Sequence, residues 1–358
     1  MSASEKVKNS IINVGVTPNG IAITPDGKWA YVANNNNYSL SGQDTVTVIN
    51  LCTNLPHTTI KDESFDEPYT ITIDAKGKKA YVTNSGGSTI SVIRIRTNKV
   101  INVISGFDGP SGMTIQNNIG YVNNYGATPG VGSGNGNTVQ RVDLCSQELI
   151  GEPIMIGMVS TAPAAIVSNC KYIFTINYTD GEPNTGTISK IKIKDLSVTT
   201  IGPFSENGLS GPFGIALAAK AGKYAVITNF GSNNFTPFGT TVSIINLYKG
   251  CVVNTINVGI QPSGVAVSCN NKYAIVSNYN TLYAYITPPP VQYLNLTPGQ
   301  GTINILDICK GKVLSTIAVG QSPANIAIDP QEKYAYVTNY TSNTVNVVKL
   351  PKYWRRTD

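Results

Sequence analysis

The chain has 358 residues, of which only 13% are charged, and its net charge is +6 with a pI near 8.8. The basic residues are scattered without a block of five like charges, which argues against nucleic acid as a partner. No window approaches 18 consecutive apolar residues, and the N-terminus lacks the apolar core of a signal peptide, so we expect no membrane span and no visible export signal.

One phrase of the sequence returns seven times. It reads Tyr-Val-Thr-Asn or a close variant, and its last residue, here called the signature asparagine, is Asn34, Asn84, Asn124, Asn177, Asn229, Asn278 and Asn339. A period of roughly 20 to 50 residues is typical of propellers and solenoids. Gly, Asn and Thr are abundant and long helix-forming windows are missing, so the pattern predicts a single all-β domain of seven units.

Each unit reads as four strands in chain order. The first strand opens with a proline, which lacks an N–H and is tolerated at the first residue of a strand. The second strand ends at the signature asparagine, and the third is rich in β-branched residues, which favour a pleated sheet. The fourth strand is typified by residues 252–258 and 312–319, each of which is closed by a glycine before the next proline. The opening prolines are Pro18, Pro68, Pro110, Pro163, Pro212, Pro262 and Pro323.

The seventh unit ends after its third strand, and its missing strand is expected at the other end of the chain. Residues 12 to 15, Ile-Asn-Val-Gly, repeat residues 256 to 259 letter for letter. We predict that the segment 7–14 pairs with the segment 344–349 and closes a ring, which leaves only short, protected strand edges. The side chains expected to be buried by this pairing are Ile11, Ile12 and Val14.

The repeated phrase, the Pro-x-Gly-Ile-Ala opening, the Pro-Asp-Gly-Lys turn and the Thr-Val-Ser-Val-Ile strand together resemble the YVTN family of seven-bladed β-propellers, related to archaeal surface-layer propellers. The likeness covers nearly the whole chain. It implies an all-β, seven-bladed β-propeller with four antiparallel strands per blade, the last blade being closed by the N-terminal strand. Such propellers serve as surface or interaction modules, while relatives carry lactonase, quinoprotein or haem chemistry, so the fold alone does not assign a function.

The resemblance and the repeat together predict one propeller domain over residues 1–358. The predicted blades are 16–61, 66–104, 109–156, 162–201, 211–258, 261–319 and 322–350, with 7–14 as the closing strand of blade seven and 351–358 as a basic C-terminal tail. Composition and the resemblance favour an extracellular, cell-surface or particle-associated location.

The connections between the second and third strands point to a binding face. They vary from tight turns in the second and seventh units to a long loop from Tyr279 to Gly301 in the sixth. Insertions on one face of a repeat protein often build a binding surface, and a structureless loop of this length is uncommon. The aromatic residues in and beside these connections are Tyr125, Tyr178, Phe230, Phe235, Phe238, Tyr279, Tyr283, Tyr285, Tyr293 and Tyr340.

These aromatic residues are the candidate binding site. Tyrosine offers a large amphipathic contact area, which suits a protein partner, self-association with a neighbouring subunit, or a glycan. The alternative is that they cap the blade ends and pack the long loop onto its own propeller. The signature asparagines are expected to cap strand ends through side-chain to backbone hydrogen bonds, with a ligand-binding ring as the alternative.

Two further residue sets belong to the opposite face. Lysines six residues before the signature asparagine, at 28, 78, 171, 223, 272 and 333, form a basic collar. They are either solvated turn residues or a surface for a polyanion. The cysteines at 52, 145, 170, 251, 269 and 309 contain no Cys-x-x-Cys pair, which excludes zinc-ribbon, thioredoxin-type and c-type haem sites but leaves disulfide bonds open.

Catalytic chemistry has little support in the sequence. His57 is the single histidine, which excludes imidazole-based metal sites, haem ligation and multi-histidine quinoprotein chemistry. No Gly-x-Ser-x-Gly elbow occurs. The acidic residues Asp44, Asp180 and Glu182 are too sparse to nominate a carboxylate pair or a calcium cage. The sequence therefore nominates no catalytic residue, cofactor or metal ligand.

Three hypotheses about function follow. The first is a non-catalytic structural or recognition module, as a component of a cell, spore or virus particle surface. The second is a lactonase-like hydrolase with a site at the mouth of the central channel. The third is a polyanion-binding propeller that uses the lysine collar.

Overall fold

The structure is a computed structural model that describes residues 9–36, 44–126, 136–156, 162–178, 185–204, 208–218, 222–231, 238–280, 282–286, 292–296 and 300–354. Within these ranges the chain forms seven antiparallel sheets of four strands, one separate two-stranded sheet and a short 3₁₀ helix. No α-helix is present among the described residues, as the composition predicted.

The first four sheets take consecutive strands of the chain. Blade one comprises Pro18–Ile23, Trp29–Asn34, Thr45–Asn50 and Leu55–Lys61. Blade two comprises Pro68–Ile73, Lys79–Asn84, Thr89–Arg94 and Lys99–Ser105. Blade three comprises Pro110–Gln116, Ile119–Asn124, Thr138–Asp143 and Glu148–Met155. Blade four comprises Ala162–Ser168, Tyr172–Tyr178, Thr187–Lys192 and Val198–Ile201.

The last three sheets complete the set. Blade five comprises Pro212–Ala218, Tyr224–Gly231, Phe238–Asn246 and Cys251–Asn257. Blade six comprises Pro262–Val267, Tyr273–Asn278, Thr302–Asp307 and Lys312–Ala318. Blade seven comprises Pro323–Ile328, Tyr334–Asn339, Thr344–Lys349 and the N-terminal strand Asn9–Asn13.

The seven sheets form a closed ring. The first strand of every blade contacts the first strands of both neighbours, and the first strand of blade seven contacts that of blade one. The first strands therefore surround a central axis, and the fourth strands lie at the periphery. The chain is a seven-bladed β-propeller.

The N-terminal strand closes the ring as expected. Asn9–Asn13 runs antiparallel to residues 344–348, with Ile12 opposite Val345. Ile12 is 3% exposed and packs between blades seven and one, and Val14 is partly buried beside it. The predicted burial of Ile11 is wrong, because successive side chains of a strand point to opposite faces and Ile11 lies on the outer face, 65% exposed.

The hydrophobic core lies between blades rather than at the axis. Seven clusters of buried residues fill the seven blade–blade interfaces, one cluster for each. Tyr31 and Val48 of blade one, for example, pack against Ile71 and Val82 of blade two. Each blade thus buries both of its faces, which explains why its second and third strands read as nearly continuous apolar runs.

The tyrosine of the repeated phrase connects neighbouring blades. The Tyr31 hydroxyl donates to Oδ1 of Asn98 in blade two at 2.5 Å, and the Tyr336 hydroxyl donates to Oδ1 of Asn54 in blade one at 2.9 Å. Burial raises the pKa of both hydroxyls well above the ordinary tyrosine value, and it raises the pKa of Tyr81 to about 12. These phenols stay neutral and act as hydrogen-bond donors.

The Nδ2 groups of the signature asparagines donate to side chains, whereas the side-chain to backbone bond that the sequence suggested is seen at Asn124, whose Oδ1 accepts the Asp108 N–H at 3.2 Å. Nδ2 of Asn34 donates to Oγ1 of Thr45 at 3.0 Å and of Thr47 at 2.9 Å. Nδ2 of Asn339 likewise donates to Thr344 and to Oδ1 of Asn346 at 2.7 Å. All seven signature asparagines reach third-strand hydroxyl or amide groups of their own blade in this way. The prediction named the wrong partner for the Nδ2 groups, because polar third-strand residues lie directly opposite the asparagine or two positions away.

A glycine in the links before blades one, six and seven packs on the signature asparagine of the following blade. A Cβ atom on Gly320 would lie 2.5 Å from Cγ of Asn339, and one on Gly259 would lie 2.6 Å from Cγ of Asn278. The Gly320 N–H also donates to Oδ1 of Asn346 at 2.9 Å. The link between blades therefore passes so close to the asparagine that no side chain fits.

Two features outside the repeat depart from the sequence expectation. The long loop of blade six is not structureless, because Leu282–Ile286 pairs with Gln292–Leu296 as a two-stranded hairpin. At the C-terminal end, Lys352–Trp354 forms a 3₁₀ helix. Trp354 is fully buried between blades six and seven and stacks on Tyr273 with ring centroids 5.3 Å apart.

Across the described residues, no helix has the length and apolar character needed to cross a membrane.

Candidate functional site

The connections between second and third strands share one face of the ring with the links between blades; this is called the loop face. The two kinds of connection share a face because the strands are antiparallel: each first strand runs from this face and each second strand returns to it. At this face the N–H after the signature asparagine donates to the carbonyl before the opening proline. Tyr125 bonds to Gly109 at 3.0 Å and Tyr340 bonds to Ser322 at 2.9 Å in this way.

That hydrogen bond fixes an arc of aromatic rings beside the channel mouth. Phe213 and Phe230 of blade five have ring centroids 5.3 Å apart. Phe230 lies 6.0 Å from Tyr279 of blade six, which in turn lies 6.1 Å from Tyr340 of blade seven. The structure thus brings together three of the sequence-predicted residues and adds Phe213. Such offset and edge-on contacts stabilise aromatic groups beyond their burial.

The other candidate residues lie in different surroundings. Tyr178 is buried, and its hydroxyl donates to the Gly231 carbonyl of blade five at 3.2 Å. Tyr125 is 49% exposed. Phe238 begins the third strand of blade five, paired with Gly231, and is partly buried. Tyr178 therefore has a packing role, whereas Tyr125 is accessible.

The remaining candidate residues lie in segments that the structure describes only in part or not at all. Phe235 lies outside the described residues. Tyr283, Tyr285 and Tyr293 lie on the blade-six hairpin, where Tyr285 is the register partner of Tyr293. Their side chains lie outside what the structure describes.

The channel behind the mouth contains a cavity of about 180 Å³. First-strand residues of all seven blades line it, and many are small: Gly20, Gly112, Ala165, Gly214 and Gly264. Thr70, Ser111, Ser263 and Asn325 supply uncharged polar groups. Among the described residues that line it there is no acidic or basic side chain.

One wall of the mouth carries a group of hydrogen-bonding side chains. Nδ2 of Asn325 in blade seven donates to Oδ1 of Asn19 in blade one at 2.9 Å. The Asn19 side chain also lies within hydrogen-bonding reach of the Tyr69 hydroxyl of blade two. Burial, followed by the nearby phenols of Tyr125 and Tyr340, raises the pKa of Tyr69 well above its ordinary value, so this phenol is neutral.

Sequence reasoning missed Tyr69, Phe213, Asn19 and Asn325. A signal was present, because each stands one or two residues after an opening proline. The other blades have Ser, Ala, Gly or Thr at these positions. A bulky or amide side chain at a position otherwise occupied by small residues marks a departure from the repeat, and here the departures meet at the axis.

A small acidic cluster lies on the loop face between blades one and two. Oδ2 of Asp44 accepts a hydrogen bond from the Glu67 N–H at 3.1 Å, and Asp66 is close to both carboxylates. Burial raises the pKa of Asp44 and of Glu67, and repulsion from Asp66 adds to both shifts. Of the acidic residues considered from the sequence, Asp44 belongs to this cluster, whereas Asp180 and Glu182 lie outside the described residues. No group of three His, Cys, Asp or Glu side chains in the described ranges could hold a metal ion.

The opposite face carries the lysine collar and the cysteines. All six collar lysines are exposed. Their main chain has a structural role, because the carbonyl of Lys28, for example, accepts the N–H of Leu51 at 2.9 Å. All six cysteines are exposed free thiols, so none is in a disulfide bond in this structure.

Comparisons with known proteins agree on the fold. Kuenenia stuttgartiensis hydrazine synthase superimposes with a TM-score of 0.71 at 19% identity, over 98% of this chain and 99% of that one. The WD40 repeats of RRP9 superimpose with a TM-score of 0.70 at 11% identity, over 97% and 100%. U3-55K superimposes with a TM-score of 0.69 at 11% identity, over 96% and 98%. Likeness at these identities establishes the propeller fold and nothing about the chemistry.

No family model and no curated protein matches the chain. The resemblance to YVTN propellers therefore depends on the residues quoted above.

Proposed function

We propose that this protein is a non-catalytic recognition module that binds a protein or glycan partner through its loop face. We further propose that it is a YVTN-type propeller and a component of a cell, spore or virus particle surface. The observation that carries the recognition role is the aromatic arc at the mouth of a channel lined by glycine, hydroxyl and amide groups.

Chemistry at the axis supports binding rather than hydrolysis. A lactonase-like site needs groups that hold a metal ion or polarise a carbonyl, such as clustered carboxylates or arginine. The residues that line the cavity carry none of these. The acidic cluster of Asp44, Asp66 and Glu67 lies between blades one and two rather than at the axis.

The arrangement of loop lengths supports the same conclusion. Blades two and seven turn directly from second to third strand, whereas the blade-six connection adds a hairpin to the loop face. A rigid ring that presents connections of unequal length on one side is how repeat proteins typically build a binding surface.

The test compares the two faces of the ring. The loop-face variant combines Tyr125→Ser with alanine at Tyr283, Tyr285 and Tyr293. The matched control is Tyr248→Ser on the opposite face, a tyrosine of similar exposure at 48%. Binding to an extract of surface material from the source organism is measured by biolayer interferometry, and self-association by light scattering after size exclusion.

We expect the loop-face variant to lose at least ten-fold in affinity while its melting temperature stays within about 2 °C, because Tyr125 is exposed and the three other tyrosines lie on a hairpin that is not part of any blade sheet. An unchanged affinity, or an equal loss in Tyr248→Ser, would contradict the proposal. Fractionation of the source with an antibody to the propeller tests the surface location, and recovery only with the interior fraction would refute it.

A further inference from the structure

The channel mouth on the loop face has two chemically different sides. Asn325, Asn19 and Tyr69 belong to blades seven, one and two and present amide and phenol groups. Phe213 and Phe230 belong to blade five. In a ring of seven blades, blade five stands opposite the boundary between blades one and two, so an aromatic wall faces a hydrogen-bonding wall across the axis.

Both walls are built into rigid parts of the fold. Phe213 is the second residue of a first strand and rests on Phe230, which is only 6% exposed. Asn325 is held by its backbone N–H, which donates to Thr338 Oγ1 at 3.0 Å, and by its bond to Asn19. Asn19 is itself buried, at 7% exposure. Side chains fixed in this way do not need to be ordered when a ligand binds, which favours affinity.

We propose that this mouth binds the terminal sugar of an uncharged glycan; the proposal rests on the recognition role given above. A pyranose ring has an apolar C–H face and a rim of hydroxyl groups. The C–H face packs on Phe213, and the hydroxyls exchange hydrogen bonds with Asn325 and Tyr69 on the opposite wall. A few placed polar groups among apolar ones are typical of small-molecule sites.

The electrostatics exclude an anionic sugar. The cavity lining carries no cation to pair with a carboxylate, sulfate or phosphate. Tyr69 is a titratable residue of the cavity lining, and burial raises its pKa, so the phenol is neutral. A charge placed here would lose its hydration without a partner, which is costly.

The size of the cavity limits the ligand to a chain end. Its volume of about 180 Å³ is smaller than the ~300 Å³ at which pockets for whole drug-sized ligands begin. One terminal residue enters, and the following sugars leave across Tyr279 and Tyr340 on the aromatic arc.

The experiment uses the full chain and defined probes. Neutral disaccharides (maltose, cellobiose and N,N′-diacetylchitobiose) and one acidic sugar, 3′-sialyllactose, are titrated by isothermal calorimetry, with saturation-transfer NMR to identify the sugar ring in contact. The variants are Phe213→Ala, Phe213→Tyr and Asn325→Ala. Tyr248→Ala on the opposite face is the control, and circular dichroism checks that each variant is folded.

We expect at least one neutral disaccharide to bind through its terminal residue and 3′-sialyllactose not to bind. Phe213→Ala should weaken binding at least ten-fold, Phe213→Tyr should retain it, and Tyr248→Ala should have no effect. If Phe213→Ala fails to fold, Asn325→Ala and Phe213→Tyr still decide the outcome.

Three results would overturn the glycan proposal: no neutral probe binds, the acidic probe binds equally well, or binding survives both Phe213→Ala and Asn325→Ala. If no sugar probe binds but the loop face still binds surface material, the recognition role stands and the partner is a protein. If neither the sugar probes nor the surface material binds, the recognition role is refuted as well.

Discussion

At the scale of single residues, the repeated phrase is explained by contacts between and within blades. In blades one and seven its tyrosine donates to a turn of the next blade, as Tyr31 does to Asn98. Its asparagine bonds across to the third strand, and in blades one, six and seven it leaves room only for glycine in the preceding link, as Gly320 shows beside Asn339. The asparagine bond to the third strand is common to all seven blades and explains why this residue recurs, so its recurrence by itself indicates no ligand.

Replacing one signature asparagine tests this explanation. Nδ2 of Asn177 donates to Thr187 Oγ1 at 2.8 Å and to Ser189 Oγ at 2.9 Å, all in buried positions. Asn177→Ala leaves both hydroxyls without this donor, so we expect a loss of about 1–3 kcal/mol in the free energy of unfolding in urea. Thr199→Ala, at an exposed strand position, is the control and should change stability by less than about 0.5 kcal/mol. Equal effects would contradict the explanation.

The acidic cluster predicts a specific pH dependence. Burial raises the folded-state pKa of Asp44 and Glu67 above their unfolded values. A raised carboxyl pKa contributes stability below the unfolded value near pH 4, and this contribution is lost as pH rises through the folded value. We therefore expect Asp44→Asn to raise the melting temperature at pH 7 and to have little effect at pH 4.

A carboxylate with the opposite shift provides the control. The hydrogen bond from Lys192 lowers the pKa of the exposed Asp195 to about 2, so Asp195→Asn should bring no gain at pH 7. A melting temperature for Asp44→Asn that is lower at pH 7 than at pH 4, relative to the parent protein, would contradict the assignment.

At the scale of elements, two short segments complete the last blade. The strand Asn9–Asn13 supplies its outer edge, and the 3₁₀ helix Lys352–Trp354 covers its interface with blade six. Both depend on one well-buried residue, Ile12 in the strand and Trp354 in the helix.

The closing strand offers adjacent residues of the same type with opposite exposure. Ile12→Ala removes a side chain that is 3% exposed and should cost about 2–5 kcal/mol in the free energy of unfolding. Ile11→Ala changes a side chain that is 65% exposed and should cost less than about 0.5 kcal/mol. Guanidinium denaturation followed by tryptophan fluorescence measures both. A cost for Ile11→Ala that matches that of Ile12→Ala would place the strand in the other register.

The C-terminal helix allows a similar pair. Trp354→Ala should cost about 3–5 kcal/mol because it empties a fully buried site between blades six and seven. Tyr353→Ala, at a residue 51% exposed, should cost about 1 kcal/mol or less, from its contact with Tyr273. Thermal unfolding by calorimetry distinguishes the two, and equal shifts would show that the tail does not pack as described.

The fold could be predicted from the sequence because seven imperfect copies report the same architecture. The closing strand was predictable for the same reason, since residues 12–15 match residues 256–259. Trp354 was not, because it lies beyond the last repeat and nothing elsewhere in the chain resembles it. Ile11 was misjudged because two adjacent isoleucines give no alternation from which to choose the inward one.

The binding site was predictable only in part. Phe230, Tyr279 and Tyr340 follow a signature asparagine, so their shared face follows from the repeat. Phe213 and Tyr69 depart from the repeat in single blades, and only the closed ring shows that they meet at one axis. The burial of Tyr178 also depends on the neighbouring blade, which provides its carbonyl partner.

At the scale of the whole molecule, the ring and the blade-six hairpin are separable. Tyr273–Asn278 pairs directly with Thr302–Asp307, so the sheet of blade six does not use the hairpin strands. Blades two and seven show that four residues suffice for this turn.

Excising the hairpin tests this separability. We expect replacement of residues 279–301 by the four-residue turn Ser-Gly-Gly-Ser of blade two to leave the melting temperature within about 3 °C, because no strand of the blade-six sheet is removed and a shorter loop costs less entropy to close. Circular dichroism melting and size exclusion report the outcome. Unfolding of the shortened chain would show that the hairpin is part of the blade core.

The strand that pairs with residues 344–348 lies at residues 9–13. One strand of the last sheet is therefore synthesised long before the other three. Residues 9–13 have no native partner strand until residues 344–348 have been synthesised. Long-range pairing of this kind slows folding and leaves an apolar edge available for wrong association. A chaperone that shields this early segment would therefore improve the yield of the protein more than one that acts on any middle blade.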